Sequence, residues 1–200
     1  SNRAFIDKSM NKSKEHILAG ALKCFMNKGV ESTTIADIRD VSGVSVGSIY
    51  HHFNNKNGIV VALFLNGVSN HSARQEIALS EANTAKEGVK AVVKCYIDWI
   101  DENPDWARFV FRYRSLVENS QQKEQHEQQK RAHFKRLRDW FFPYIERNEI
   151  KKLPFEVYHA LIIGPSQDFA LRWLADKTKT ELIERRELYA EAAWQAIRTG

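Results

Sequence analysis

The chain has 200 residues, 43% hydrophobic and 28% charged, with a formal net charge of +5. That composition suits a soluble globular protein, sets aside a disordered or low-complexity chain, and leaves room for one large domain or two small ones. No apolar run approaches the ~20 residues of a membrane span, and the N-terminus lacks the apolar core of a signal peptide. A cytoplasmic location without membrane association is therefore expected.

Ser1-Asn2 looks like a cloning remnant, with Met10 a candidate initiator, so residues 1–9 carry no weight in the reading. The first predicted helix runs over Lys12–Lys28, with Ile17, Leu18, Ala21, Leu22 and Phe25 on one face and Gly29 as its stop. A second, short helix follows from about Thr34 to Val41, with Thr33 or Thr34 as N-cap. Ser42-Gly43-Val44-Ser45 reads as a tight turn, because Gly43 can take a positive φ without a Cβ penalty. Ser45 then caps a third helix, Val46–His52. Two helices joined by a short glycine-containing turn form a helix-turn-helix, whose second helix enters the DNA major groove. Residues 1–58 hold eight basic against five acidic side chains, +3 of the total +5; that bias is compatible with nucleic acid but does not demand it.

A longer helix is expected from Lys56 to Ala82, carrying Ile59, Val60, Leu63, Phe64 and Val68. Leu22, Phe25, Ile35, Ile38, Val44, Ile49 and Phe53 then suffice for a small three-helix core, marginal without help from a larger domain. Beyond it, Lys86–Glu102 repeats Val89, Val92, Val93, Tyr96, Ile97 and Ile100 at helical spacing. Asn103-Pro104 ends that helix and opens the next, with its stripe of Trp106, Phe109, Val110, Tyr113, Leu116 and Val117. Ser120 is a candidate cap for a long helix that begins polar all round (QQKEQHEQQKR), read as a solvated or frayed face, and turns apolar from Phe134. Pro143 and Pro165 each remove a helical hydrogen bond; Pro165 lies inside an otherwise continuous helix over Phe155–Lys177. The last helix is expected over Glu181–Arg198. With no strand-period segment, the fold class is all-α, about nine helices: a helix-turn-helix domain at 10–57 and a larger helical domain at 58–200.

Catalytic chemistry finds no purchase. Tyr50-His51-His52 places two imidazoles on adjacent helical positions about 100° apart, which does not suit one metal ion. Ser166 after Gly164-Pro165 lacks the strand-turn-helix context of a nucleophile elbow. Cys24 and Cys95 sit in apolar helical patterns and are expected as free thiols. Neither a metal nor a cofactor is expected, and the chain does not read as an enzyme.

The segment GVSVGSIYHHFNNK (Gly43–Lys56) resembles the signature of the TetR family of bacterial transcriptional regulators: Gly-Val-Ser, two variable positions, a hydroxyl residue, an aliphatic, Tyr, an aromatic pair, Phe, and Lys after a short gap. The resemblance is strong over Ile17–Leu63 and beyond that rests on helix count and order. It implies phosphate contacts at Thr34 (through its backbone N–H), Ser45, Tyr50, His52 and Lys56. Base edges would be read by Val46, Gly47 and Ser48, with His51 close by. Arg39 departs from the family pattern, which has a small residue four before the turn glycine; its stem would snorkel past the recognition helix, or the helices would cross less tightly. The resemblance also implies a homodimer through Phe155–Lys177 and Glu181–Arg198, and a double-stranded, palindromic operator released by a small, mostly apolar effector.

Candidate effector residues are the aromatics Tyr96, Trp99, Trp106, Phe109, Tyr113, Trp140, Phe169 and Trp173, with His133 and Gln167 as polar groups. Taken residue by residue, they read better as packed core. Control by a protein partner in the same scaffold, without a small effector, is the second reading.

Overall fold

The computed structural model describes residues 2–118 and 123–200. The described residues form ten α-helices and one 3-10 turn: α1 (Asn2–Ser32), α2 (Ile35–Ser42), α3 (Val46–Phe53), α4 (Lys56–Ser80), α5 (Ala85–Glu102), α6 (Pro104–Glu118), α7 (Lys123–Glu146), α8 (Phe155–Ile162), α9 (Gly164–Leu174), the 3-10 turn Ile183–Arg185, and α10 (Arg186–Ile197). Ser120, the expected cap, lies outside the described residues. The chain divides into two compact units, Ser1–Gly67 with Asp105–Lys123, and Val68–Pro104 with Glu124–Gly200. A single cut after residue 57 does not describe this division, because the start of α4 and most of α6 belong to the first unit.

In the first unit most of the predicted face of α1 is buried, Ile17, Leu18, Ala21 and Phe25, while Leu22 is half-buried. Gly29 (φ 80, ψ 161) kinks the helix, and one more turn carries it to Ser32. The Thr33 hydroxyl donates to the Gly29 carbonyl at 2.7 Å across that kink. Gly20 permits a close helix crossing, since a Cβ there would lie 2.9 Å from the Cβ of Ser42. Ile59, Val60, Leu63 and Phe64 of α4 are buried. From α6, Phe109 stacks on Phe25 at 5.8 Å and meets Tyr113 at 4.7 Å, and the Trp106 indole N–H donates to the Leu63 carbonyl at 2.9 Å. Trp106, Phe109 and Tyr113, expected among effector residues, are thus packing groups of the helix-turn-helix unit.

The second unit is built on α5, whose Val89, Val92, Val93, Ile97 and Ile100 are buried. Its polar edge is clasped to α10: Lys94 meets Glu187 at 2.6 Å, Lys90 reaches Glu187 and Glu191, and Arg186 places two nitrogens on the Asp98 carboxylate at 2.5 and 2.6 Å. Two expected helices are corrected. Phe155–Lys177 is not continuous: α8 ends at Ile162 and α9 starts at Gly164, with Pro165 in its first turn. Pro165 has no N–H for the Leu161 carbonyl, and the adjacent glycine lowers the cost of the break. Glu181–Arg198 keeps only Arg186–Ile197 as α-helix; a 3-10 bond from the Arg185 N–H to the Leu182 carbonyl turns the chain, with Leu182 wholly buried. Pro143, by contrast, stays inside α7 near its end. Nor is the start of α7 polar and solvated all round, because His126 is buried. No described helix is long and apolar enough to cross a membrane.

Candidate nucleic-acid interface

The frame of the helix-turn-helix is set by its caps. Thr34 is the N-cap of α2 in a complete capping box: its hydroxyl oxygen accepts from the Asp37 N–H at 3.2 Å, while the Asp37 carboxylate accepts from the Thr34 N–H at 2.7 Å. Lys28 closes on the same carboxylate at 2.6 Å. The Lys28 ammonium and the two Thr34 donors hold the Asp37 carboxyl well below the usual carboxylate range. Asp37 is therefore the organising anion of this corner. The Thr34 N–H that the resemblance assigns to a phosphate is already in use. Thr34→Ala should destabilise the protein by about 1 kcal/mol; urea unfolding measures it, and an unchanged midpoint would show the box to be dispensable.

Gly43 takes φ 70, ψ 10 and ends α2, and the Ser45 hydroxyl accepts from the Ser48 N–H at 3.3 Å to start α3. Ile49 and Phe53 are buried and anchor α3, whereas Ser45, Gly47, Tyr50 and His51 are exposed. Val46, Ser48 and His52 are half-buried. A Cβ on Gly47 would meet nothing within 4 Å, so this side of α3 stands open. His52 is the more enclosed of the two imidazoles, and burial, then its neighbours His51 and Lys14, push its proton affinity down. No group of three or more His, Cys, Asp or Glu able to hold a metal occurs among the described residues.

Lys56 is committed elsewhere. Its ammonium donates to the carbonyls of Glu31 (3.0 Å) and Thr33 (2.9 Å), tying the start of α4 to the end of α1. One of its three donors is left over. Asn55 caps the same helix through the Gly58 N–H at 2.9 Å, and Gly58 is obligatory because a Cβ would lie 2.0 Å from the Phe53 carbonyl oxygen. Arg39 neither snorkels nor wedges the helices apart: it is exposed and paired with Asp40 at 2.7 Å. The close crossing through a small residue is that of α1 with α2, Gly20 against Ser42, and not that of α2 with the recognition helix.

Of the effector candidates, the second unit holds Tyr96 and Trp99 buried, and His133, Trp140, Gln167, Phe169 and Trp173 half-buried. Tyr96 and Trp99 both stand against His71, at 5.5 and 5.7 Å, but the remaining aromatics are engaged separately. Trp140 covers Gly88, where a Cβ would lie 1.9 Å from the indole. Trp173 donates to Glu181 at 3.0 Å, Phe169 meets Tyr189 at 5.8 Å, and His133 lies against Gln75 and Glu76. A groove of about 310 Å³ in this unit is lined by Arg74, Ala78, Ala91, Lys94, Cys95, Asp98, Glu102 and Arg186, none of them a candidate. Cys24 and Cys95 are free thiols, as expected, although Cys95 is only half-buried.

Residues 17–63 match the family model of the bacterial regulatory proteins, tetR family. The HTH-type transcriptional repressor AcnR of Corynebacterium efficiens is 31% identical over 100 residues, 50% of this chain and 47% of that protein. The chain thus spans about half the length of the curated relatives of this type. Among solved structures, a TetR family transcription regulator from Marinobacter aquaeolei VT8 superposes with a TM-score of 0.80 at 16% identity, covering 97% of this chain and 100% of that one. FadR from Bacillus subtilis, solved in complex with stearoyl-CoA, gives 0.77 at 21% identity, covering 92% and 99%. At such identities the structures establish fold alone. The named relatives are transcriptional regulators rather than enzymes. Residues 17–63 of this chain thus match the family model of the tetR bacterial regulatory proteins, and nearly the whole chain has the fold of the solved regulator structures named above.

Proposed function

We propose that the chain is a cytoplasmic DNA-binding transcriptional regulator, a repressor that holds a palindromic operator as a homodimer and leaves it when a small, mostly apolar effector binds. The observation that carries the DNA-binding part is the open side of α3: Gly47 without neighbours, flanked by exposed Ser45, Tyr50 and His51, on a helix anchored by Ile49 and Phe53. Val46, Gly47, Ser48 and His51 read base edges, Val46 against a thymine methyl. Ser45, Tyr50 and His52 grip phosphates. Lys56 contributes its remaining donor, and Thr34 reaches a phosphate only by giving up Asp37.

Dimerisation uses α8–α9 and α10, in support of which Leu171 and Leu188 are exposed, the latter at 62%. Two-fold symmetry then sets the two copies of α3 about 34–36 Å apart, one DNA turn. α4 supplies residues to both units, and an effector held in the second acts on the reading head through it. Shifting that equilibrium from 1:99 to 99:1 takes about 5.5 kcal/mol of differential affinity.

The test begins with an operator selected from random DNA. Tyr50→Ala should bind it several-fold more weakly with unchanged helicity and dimerisation, and the wild type should lose affinity steeply with salt. Wild-type affinity in the variant, or a flat salt response, would overturn the proposal. Lys56→Ala is the poorer probe, since it also unties α4 from α1.

A further inference from the structure

Helices α4, α5 and α7 bring together polar groups in the second unit that none of the roles above uses. His71, on α4, is half-buried, but its Nε2 is sealed from solvent with no hydrogen-bond partner among the described residues. Two aromatic rings stand edge-on to the imidazole, Tyr96 at 5.5 Å and Trp99 at 5.7 Å. The Trp99 indole faces away from the problem, donating to Asn70 at 3.0 Å. Elsewhere, on α7, the Gln129 Oε1 is likewise sealed, with no hydrogen-bond partner among the described residues. Buried polar groups in native proteins are nearly always paired, so an orphan of this kind calls for an explanation, and a ligand is one of the few available.

The surroundings restrict what such a ligand can be. Burial first, then the nearby titratable and charged groups His133, Arg74 and His159, lower the His71 pKa to about 4, leaving a neutral imidazole at pH 7. Neither arginine of this region is uncommitted. Arg74 is paired with Glu102 at 2.6 Å, and Arg136 with Glu76 at 2.6 Å. His133 lies between Glu76 at 3.1 Å and Gln75 at 2.8 Å. A carboxylate or phosphate brought to His71 would therefore be a buried charge facing a neutral ring and cations already spoken for, which is costly. A hydroxyl can donate to or accept from the imidazole, whichever tautomer it adopts, and leaves an uncharged body for the aromatic walls.

We propose that His71, walled by Tyr96 and Trp99, is the polar anchor for an uncharged, hydroxyl-bearing apolar ligand. This rests on the effector reading above and names the class of effector.

The experiment pairs each hydroxylic probe with the carboxylate of the same skeleton: 2-naphthol with 2-naphthoate, 1-decanol with decanoate. Binding is followed by thermal unfolding of the full chain, in the wild type and in His71→Leu and His71→Phe. At least one hydroxylic probe should raise the wild-type melting temperature at concentrations at least tenfold lower than its carboxylate partner. Without probe, at least one of the two variants should melt higher than the wild type, by about 2–4 °C, because an unpaired polar group has been replaced by an apolar one. Both variants should lose the preference for the hydroxylic probe.

A carboxylate binding as tightly as its alcohol would overturn the proposal, as would undiminished probe binding in both variants, or both variants melting below the wild type. If no probe of either kind binds, the proposal and the small-effector reading fall together, leaving a protein partner as the controlling agent. Operator affinity measured on the same samples separates these outcomes from a failure of the DNA-binding reading.

Discussion

Gly47→Glu is expected to abolish operator binding, by more than 100-fold, while leaving the fold at least as stable as in the wild type. The stability half follows from local facts: position 47 is exposed, lies inside α3, and has nothing within 4 Å of a Cβ. Glutamate is the better helix former there, by several tenths of a kcal/mol, and exposed substitutions away from special features stay within about 0.5 kcal/mol. The binding half follows from what would face that carboxylate. A side chain of this length blocks close approach of the helix to the groove floor, and its charge opposes the phosphates. The 100-fold loss corresponds to about 2.8 kcal/mol, within the several kcal/mol that a like-charge juxtaposition costs at an interface. Gly47→Ala is the graded control, adding one methyl and no charge. Titration of a labelled operator, beside a thermal melt of the same preparation, reads both halves. Retained affinity in the glutamate variant would remove α3 from the interface, whatever the family resemblance.

How much was legible in the sequence depended on how far each interaction reaches along the chain. The caps at Thr34 and Ser45 and the positive φ of Gly43 are settled within three or four residues, and they are where local chemistry put them. The anchoring of α3 by Ile49 and Phe53 follows from helical spacing in the same way. Lys56 shows where that reasoning stops. Its partners are carbonyls 25 and 23 residues away, at a helix end defined only once Gly29 has kinked α1. Nothing near Lys56 announces them, and a lysine at a helix start is read as a phosphate ligand. The two prolines make a similar point: Pro143 and Pro165 each cost one helical bond, but only Pro165, preceded by a glycine, divides its helix. Least legible were the polar groups inside the second unit. His126 and Gln129 lie in a run that looks solvated, and His71 is a lone histidine on a mixed face of α4. Their burial is decided by helices distant in sequence.

Phe109→Ala is the second variant with a large expected effect, and it separates two readings of the same aromatic residue. As part of an effector wall, Phe109 would be dispensable for folding, and its truncation would change ligand affinity while sparing stability. In the structure Phe109 is wholly buried, stacked on Phe25 of α1 and touching Tyr113, within the unit that carries the helix-turn-helix. Removing a buried phenylalanine side chain costs about 3–5 kcal/mol in lost transfer energy and residual cavity. Domains of this kind have about 5–15 kcal/mol in total. The variant should therefore show a large drop in its urea midpoint, and its operator binding should weaken with temperature as the first unit opens. Cooling should restore much of that binding, because the groups on α3 are untouched. Gly47→Glu shows the opposite pairing, with binding lost at every temperature and the melt preserved. If Phe109→Ala cost less than about 1 kcal/mol, the residue would belong to a cavity after all. If it costs the larger amount, a fragment ending at Gly67 lacks a necessary part of its own core, since α6, which begins well beyond that point, supplies Phe109, Tyr113 and the indole of Trp106.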